Sequence, residues 1–414
     1  MPPQVDSTIG PAITVRAKVG RVVQKVLPNI DEWQWNRKRD REVVEIRRAL
    51  DYSTRLGDLR STGAAMRPSH VVVVPMEGDS HASWKLAGGN FFFEIAQAAR
   101  EYAGAEKVTV FSRDPAESVA DWHERLIRLL IDSGATHLIA QVEKDPDDFE
   151  SYTWDVFWPE LAQRWDGVFL GVLFDSAYRW ITIPARRVAR VSDRFVLVDI
   201  CMPMDSSMVK GRPEVGPVNM PVSNLSLSII DEHTSGVEQE IDVSFIGALY
   251  PVRMQLIEEL RSRGVNVAVN PHRPDNTTNL EESRANQPTY IDYMAGLKRS
   301  RMTINFSISS ALNSQQLKTR VLEAASMGCL VLTDDIGRTD QFWKPGEEYG
   351  YFASLEELPS VIESFLNDPE RLAQAQAAGM KRAREINVSS FWGGIDAVLS
   401  LRGLPVIASP VTAR

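Results

Sequence analysis

From His70 onward the sequence alternates short apolar runs with longer amphipathic segments, and it does so twice, on either side of a proline-rich break. The first run, Val71-Val72-Val73-Val74, has no polar face. A strand that is apolar on both sides belongs in a parallel sheet covered by helices. Beyond it the spacing predicts a helix over Phe91–Tyr102, a strand over Lys107–Phe111 and a helix over Ser118–Ser133. A strand at His137–Val142, a helix at Thr153–Trp165 and a strand at Gly167–Phe174 continue the series, before a helix at Arg179–Arg190 and a strand at Arg194–Val198. This order predicts an open, doubly wound parallel sheet.

Residues 203–238 interrupt it with Pro203, Pro213, Pro217 and Pro221 among Gly, Ser and Asn, the composition of a linker. The alternation restarts with a strand at Ile241–Ile246 and a helix that opens at Pro251 and closes at Gly264. Strands follow at Val265–Val269, Met302–Phe306 and Leu330–Thr333, with helices at Tyr290–Arg299 and Leu355–Leu366. A helix from Asp368-Pro369 to about Glu385 and another over Ser389–Leu401 complete the pattern. A chain of 414 residues exceeds one ordinary core. The expected organisation is an extension at 1–65, an α/β domain with linker at 66–238, a second α/β domain at 239–390, and a helix and tail at 391–414. In the extension, Trp33, Trp35, Val43, Val44 and Ile46 would dock a helix on a domain.

A net charge of −9 argues against a nucleic-acid partner, which needs a basic face. The only cysteines, Cys201 and Cys329, sit among apolar residues and suit a reducing compartment. No apolar stretch reaches the length of a membrane span, and residues 1–25 lack the apolar core of a signal peptide. A cytoplasmic location is the expectation.

Residues 313–335 concentrate the chemistry. They read as a polar loop, a helix from Gln316 to Gly328 and a buried strand. Leu317, Val321, Ala324 and Ala325 form the apolar face. Gln316, Arg320 and Glu323 share another face near the helix start. A cation, a carboxylate and unpaired N–H groups there suit an anionic ligand that also carries hydroxyls, as a sugar nucleotide does.

The segment from Tyr290 to about Ile386 resembles the C-terminal domain of two-domain glycosyltransferases, with the CgeB-like group of the family-4-like enzymes as the nearest pattern. The matching residues are Tyr290–Ser300 leading into Met302–Asn305, then Arg320–Ala325, Gly328–Thr333, Phe342, Gly346, Glu347, Tyr351, and the helix starts at Leu355 and Asp368-Pro369. Val243–Gly247 resembles the first strand and turn of the same domain. The resemblance implies a GT-B fold, α/β, with two doubly wound Rossmann-like domains facing across a cleft. It also implies a metal-independent hexosyl transfer with no cofactor, the donor being a substrate such as UDP- or GDP-hexose. Where the family-4 pattern has a Glu, this chain has Gln315, an amide that bonds a hydroxyl but carries no charge. Stereochemistry is left open by that departure.

The expected donor-side residues are Gly247, Arg253, Asn270, Asn305, Gln315, Lys318, Arg320 and Glu323. Glu323 would take ribose hydroxyls, Arg320 the diphosphate. Gly247 would let backbone approach phosphate, and Asn270 would face the base. Each has a plainer reading as a helix-surface ion pair, a tight turn or a turn cap. Asp175, Glu77 and His81 are the candidate general bases. Gly88-Gly89-Asn90 lies at the expected cleft edge without the spacing of a dinucleotide fingerprint. Trp154, Trp158 and Trp165 fall at helical spacing and read as core, with Trp180 beside them. Nothing in the sequence fixes the acceptor (glycan, small molecule or protein) or the oligomeric state. An epimerase or phosphorylase of the same fold, or a non-catalytic sugar-nucleotide binder, are the alternatives.

Overall fold

The structure is a computed structural model. It describes residues 30–61, 63, 67–75, 91–112, 114, 116–142, 153–174, 176, 179–200, 212–247, 251–271, 289–308 and 315–408. The chain divides into two compact units, Met1–Arg55 and Leu56–Arg414.

The first unit holds helix α1 (Ile30–Leu50) and most of α2 (Tyr52–Leu56). The expected docking face is split. Val43 is buried, but Trp33 and Val44 stand 58% and 57% exposed. Arg37 lies over the Trp33 ring at 5.2 Å, so the indole is partly covered from within its own helix.

The second unit contains two parallel sheets of five strands. In the first, β1 (Val71–Val74), β2 (Val108–Val110), β3 (His137–Gln141), β4 (Val168–Leu173) and β5 (Phe195–Asp199) take the order β2-β1-β3-β4-β5. Helices α3 (Phe91–Ala103), α4 (Val119–Asp132), α5 (Trp154–Arg164) and α6 (Arg179–Ala189) connect them. Alternate residues feed opposite faces. Val71, Val73, Val196 and Val198 enter one core. On the other, Trp154 and Trp158 pack on Phe169, with Trp158 also on Phe195. Trp154, Trp158 and Trp165 are almost wholly buried, as core residues.

The second sheet repeats the plan. Its strands are β6 (Ile241–Phe245), β7 (Val267–Val269), β8 (Ser300–Asn305), β9 (Leu330–Thr333) and β10 (Gly350–Tyr351), in the order β10-β9-β8-β6-β7. Leu330 and Leu332 of β9 face a core with α8 (Pro251–Ser262) and α12 (Leu358–Leu366). Val331 faces the opposite core, with α9 (Tyr290–Lys298) and α10 (Arg320–Ser326). A short α11 (Ile336–Thr339) follows β9.

Two features depart from the sequence reading. The expected linker contains a helix, α7 (Asn224–His233). The last two expected helices are one, α13 (Pro369–Leu401), 33 residues long. Its first half packs Leu372 and Ala375 into the second domain. Its second half packs Phe391, Trp392, Ile395 and Leu399 into the core of the first. Between them Asn387 accepts the Val222 N–H at 2.8 Å and donates to the Val222 carbonyl. Residues Phe391 to Ile407 therefore pack into the core of the first domain. No described helix is long and apolar enough to cross a membrane.

Candidate functional site

In an open parallel sheet, ligands collect at the carboxyl ends of strands where the strand order reverses. In the second sheet that point lies between β6 and β8. Several of the expected donor-side residues meet there. Gly247, at φ 141°, and Asn270, at φ 47°, both adopt backbone that side chains disfavour. The Gly247 N–H donates to Asn270 Oδ1 at 2.9 Å, and Asn270 Nδ2 donates back to the Gly247 carbonyl at 3.4 Å. The pair locks two strand-end turns together. It also commits the Gly247 amide that a phosphate contact would use. Arg253, one turn into α8, spreads over Phe245 and Phe306 at 5.6 and 5.0 Å from the ring centroids. Its charge therefore sits across the ends of β6 and β8.

Asn305 ends β8, and its Nδ2 donates to Thr333 Oγ1 at 3.1 Å. The Ser307 N–H donates to Asp334 Oδ1 at 2.7 Å. Gln315 Nε2 donates to the Asp334 carbonyl at 3.0 Å, and its Oε1 receives Arg338 at 3.5 Å. Arg338 also pairs with Asp335 at 3.3 Å. Burial pushes the Asp335 carboxyl up, with Arg338 opposing it. Asp334, Asp335 and Arg338 were missed by the sequence reading. The pair Asp334-Asp335 directly after a buried strand was the available signal.

The helix expected over Gln316–Gly328 is shorter. It begins at Arg320, so Gln316 lies on the preceding loop, where its N–H bonds the Ser307 carbonyl and its Oε1 receives Lys318. Glu323 is 8% exposed. It is no helix-surface carboxylate. The Tyr290 and Tyr293 hydroxyls, three residues apart on α9, donate to its two oxygens at 3.1 and 2.7 Å. Burial raises its pKa, while Tyr293, Arg320 and Tyr290 lower it, in that order. The α9 N-terminus is fixed by a reciprocal Thr289–Asp292 capping box. Among the described residues each carboxylate oxygen accepts one phenol and has a second lone pair beyond it. The arrangement is a rigidly held acceptor suited to a hydroxyl pair.

A second buried carboxylate lies in reach of this group. Glu94 of α3 is 3% exposed and belongs to the first domain. It accepts the Ser223 N–H at 2.5 Å and the Ser226 hydroxyl. Its pKa is raised to about 7, mainly by desolvation, with a small repulsion from Glu323. The sequence reading missed Glu94, although its place in the apolar run Phe91-Phe92-Phe93-Glu94-Ile95-Ala96 was an available signal.

The structure thus gathers Gly247, Arg253, Asn270, Asn305 and Gln315 at the strand ends, and Arg320 and Glu323 in the tyrosine-lined cluster, with Lys318 on the loop between. Asp175, Glu77, His81 and Gly88-Gly89-Asn90 lie outside the described residues, as does Cys201.

Residues 253–388 match the family model described as glycosyl transferase-like. No curated protein matches the chain in sequence. The fold is similar to that of the sucrose-phosphate synthase of Thermosynechococcus elongatus, with a TM-score of 0.51 and 12% identity, covering 81% of this chain and 97% of that one. It is also similar to HepE of Anabaena in complex with UDP and glucose (TM-score 0.48, 12% identity, 80% and 99% covered). T4 phage BGT in complex with UDP and Mn2+ gives a TM-score of 0.47 at 10% identity, with 81% and 100% covered. Two five-stranded, doubly wound parallel-sheet domains of this kind make the GT-B fold, and this chain has it.

Proposed function

We propose that this chain is a glycosyltransferase that moves a hexose from a nucleoside-diphosphate sugar to an acceptor, without a metal. One observation carries the reading. The stretch matched by the glycosyl transferase-like model supplies Arg253, Asn270, Asn305, Gln315, Lys318, Arg320 and Glu323, every expected donor-side residue except Gly247. Glu323 takes the ribose hydroxyls on its remaining lone pairs. Arg320 and Arg253 offset the charge that grows on the departing diphosphate, which stabilises the transition state electrostatically. Asp175, Glu77 and His81 remain the proposed bases for the acceptor hydroxyl. Cys329 is buried with its thiol pushed up, an unreactive core cysteine compatible with work in the cytoplasm.

Gln315 favours a second reading, a sugar-nucleotide binder without turnover, because both ends of its amide are engaged by Asp334 and Arg338. Incubation with a panel of UDP- and GDP-hexoses in EDTA, followed by product analysis, separates the readings. Donor hydrolysis or transfer supports the transferase, and an isomerised donor supports an epimerase. Binding without turnover supports the second reading. Glu323→Ala weakens donor binding at least tenfold if the site is correct; unchanged affinity defeats it.

A further inference from the structure

Two carboxylates from different domains enter one buried polar cluster, and among the described residues only one of them has a cation beside it. Glu323 on α10 has Arg320 as a favourable charge and two phenols as donors. Glu94 on α3 has none among the described residues. The groups that act on it are Ser223 and Ser226 at the start of α7 and Glu323. It acts in turn on the Tyr290 phenol of α9. Two like charges in a low-dielectric core are not both carried cheaply, and the group without a cation keeps the proton.

The connections are mechanical as well as electrostatic. Glu94 and Glu101 stand seven residues apart on one face of α3. Glu94 receives the Ser223 N–H, and Glu101 receives the Asn224 N–H at 2.7 Å and its side-chain amide at 2.7 Å. Two carboxylates of the first domain thereby hold the amino end of α7, where unpaired N–H groups and the helix dipole favour negative charge. Helix α7 packs on α9, and α9 packs on α10 through the bonds from Tyr290 and Tyr293 to Glu323. A continuous path of contacts runs from Glu94 to the carboxylate assigned to the donor.

We propose that Glu94 is a positioning residue for the donor site: through α7, Tyr290 and its field on Glu323, its protonation state sets how tightly the second domain holds a nucleotide-sugar. The inference rests on the donor-site reading of Glu323. Protonated Glu94 leaves Glu323 as the single buried anion, aimed by its phenols. Ionised Glu94 adds a second negative charge to the same cluster. That charge favours protonation of Glu323 and opposes an anionic donor. With the Glu94 pKa near 7, the change falls where cytoplasmic pH varies.

The test is isothermal titration of the full chain with UDP-glucose and GDP-glucose from pH 6 to 8.5. The doubly esterified pyrophosphate of these probes takes up no proton in that range, so the pH dependence belongs to the protein. Wild type is expected to lose roughly fivefold or more in affinity across the range. Glu94→Gln, which keeps an acceptor for the Ser223 N–H and cannot ionise, is expected to hold the low-pH affinity throughout. Glu323→Ala is the control. If Glu323→Ala binds as wild type does, or neither probe binds wild type, the donor-site reading falls and this inference with it. If Glu323→Ala weakens binding but the Glu94→Gln profile overlays that of wild type, Glu94 has no positioning role and the donor site stands. A Glu94→Gln protein that melts earlier yet keeps the wild-type pH dependence also overturns it, since Glu94 is then structural only.

Discussion

The charge state of Glu94 can be tested without any ligand. Its pKa is raised from 4.5 to about 7 because the folded chain removes the carboxyl from water. A raised acid pKa means that the folded state binds the proton more tightly than the unfolded state. The associated stability is complete below pH about 4.5 and is lost as pH rises through about 7. A rise from 4.5 to about 7 corresponds to about 3.4 kcal/mol in all, of which about 2.5 kcal/mol is lost between pH 5 and pH 8. Near-complete burial leaves little solvent to screen this cost. The unit Leu56–Arg414 has about 360 residues. At about 2.1 cal/mol/K per residue its unfolding entropy is about 0.75 kcal/mol/K, so the loss is worth about 3 °C in Tm. Glu94→Gln removes the titration while keeping an acceptor for the Ser223 N–H. Melting curves of wild type and variant at pH 5 and pH 8, read by circular dichroism, give the difference of differences, in which all other titrating groups cancel. Wild type should fall by about 3 °C more than Glu94→Gln over that interval. Parallel profiles, agreeing to within 1 °C, would show that Glu94 does not titrate in the folded state as described, and the electrostatic half of the positioning argument would go with it.

Other expectations follow from the packing. Trp392→Ala empties a fully buried position in the core of the first domain and should cost about 3–5 kcal/mol; a melt unchanged from wild type would remove α13 from that core. A Cβ on Gly379 would lie 2.6 Å from the Glu348 carbonyl oxygen, so Gly379→Ala should destabilise by about 1–3 kcal/mol in denaturant titration, despite the better helix propensity of alanine. Tyr293→Phe removes the shorter of the two phenol bonds to Glu323 and raises its proton affinity. Its UDP-glucose affinity should be about tenfold below that of wild type at neutral pH, equivalent to about 1.4 kcal/mol, and this deficit should narrow at higher pH; a deficit that does not change with pH would argue against an ionised Glu323.

The strands were legible because their burial is written into consecutive residues. Leu330-Val331-Leu332 and Val71–Val74 are unbroken apolar runs, and no tertiary knowledge was needed to place them in two parallel sheets. Helix α7 was not legible, since Asn224, Ser226 and Ser228 read as loop. What supports it at the start is supplied from elsewhere, by Glu94 and Glu101 more than 120 residues earlier. The continuity of α13 was hidden for a similar reason. Asn387, Ser389, Ser390 and Gly393-Gly394 look like a break, yet Asn387 spends its amide on Val222 and Gly394 lies against the Val218 side chain. Packing against the inter-domain segment outweighs the poor local propensity. The same division runs through the candidate site. Arg320 and Glu323 stood out because charge inside an apolar helix is anomalous in a sequence. Tyr290 and Tyr293, which turn Glu323 into an aimed acceptor, did not, because aromatic residues three apart on a helix read as core. A carboxylate's partners decide whether it is solvated, structural or functional. Those partners are fixed by how α3, α7, α9 and α10 pack together, so the site's chemistry became readable only at the level where helices from both domains meet.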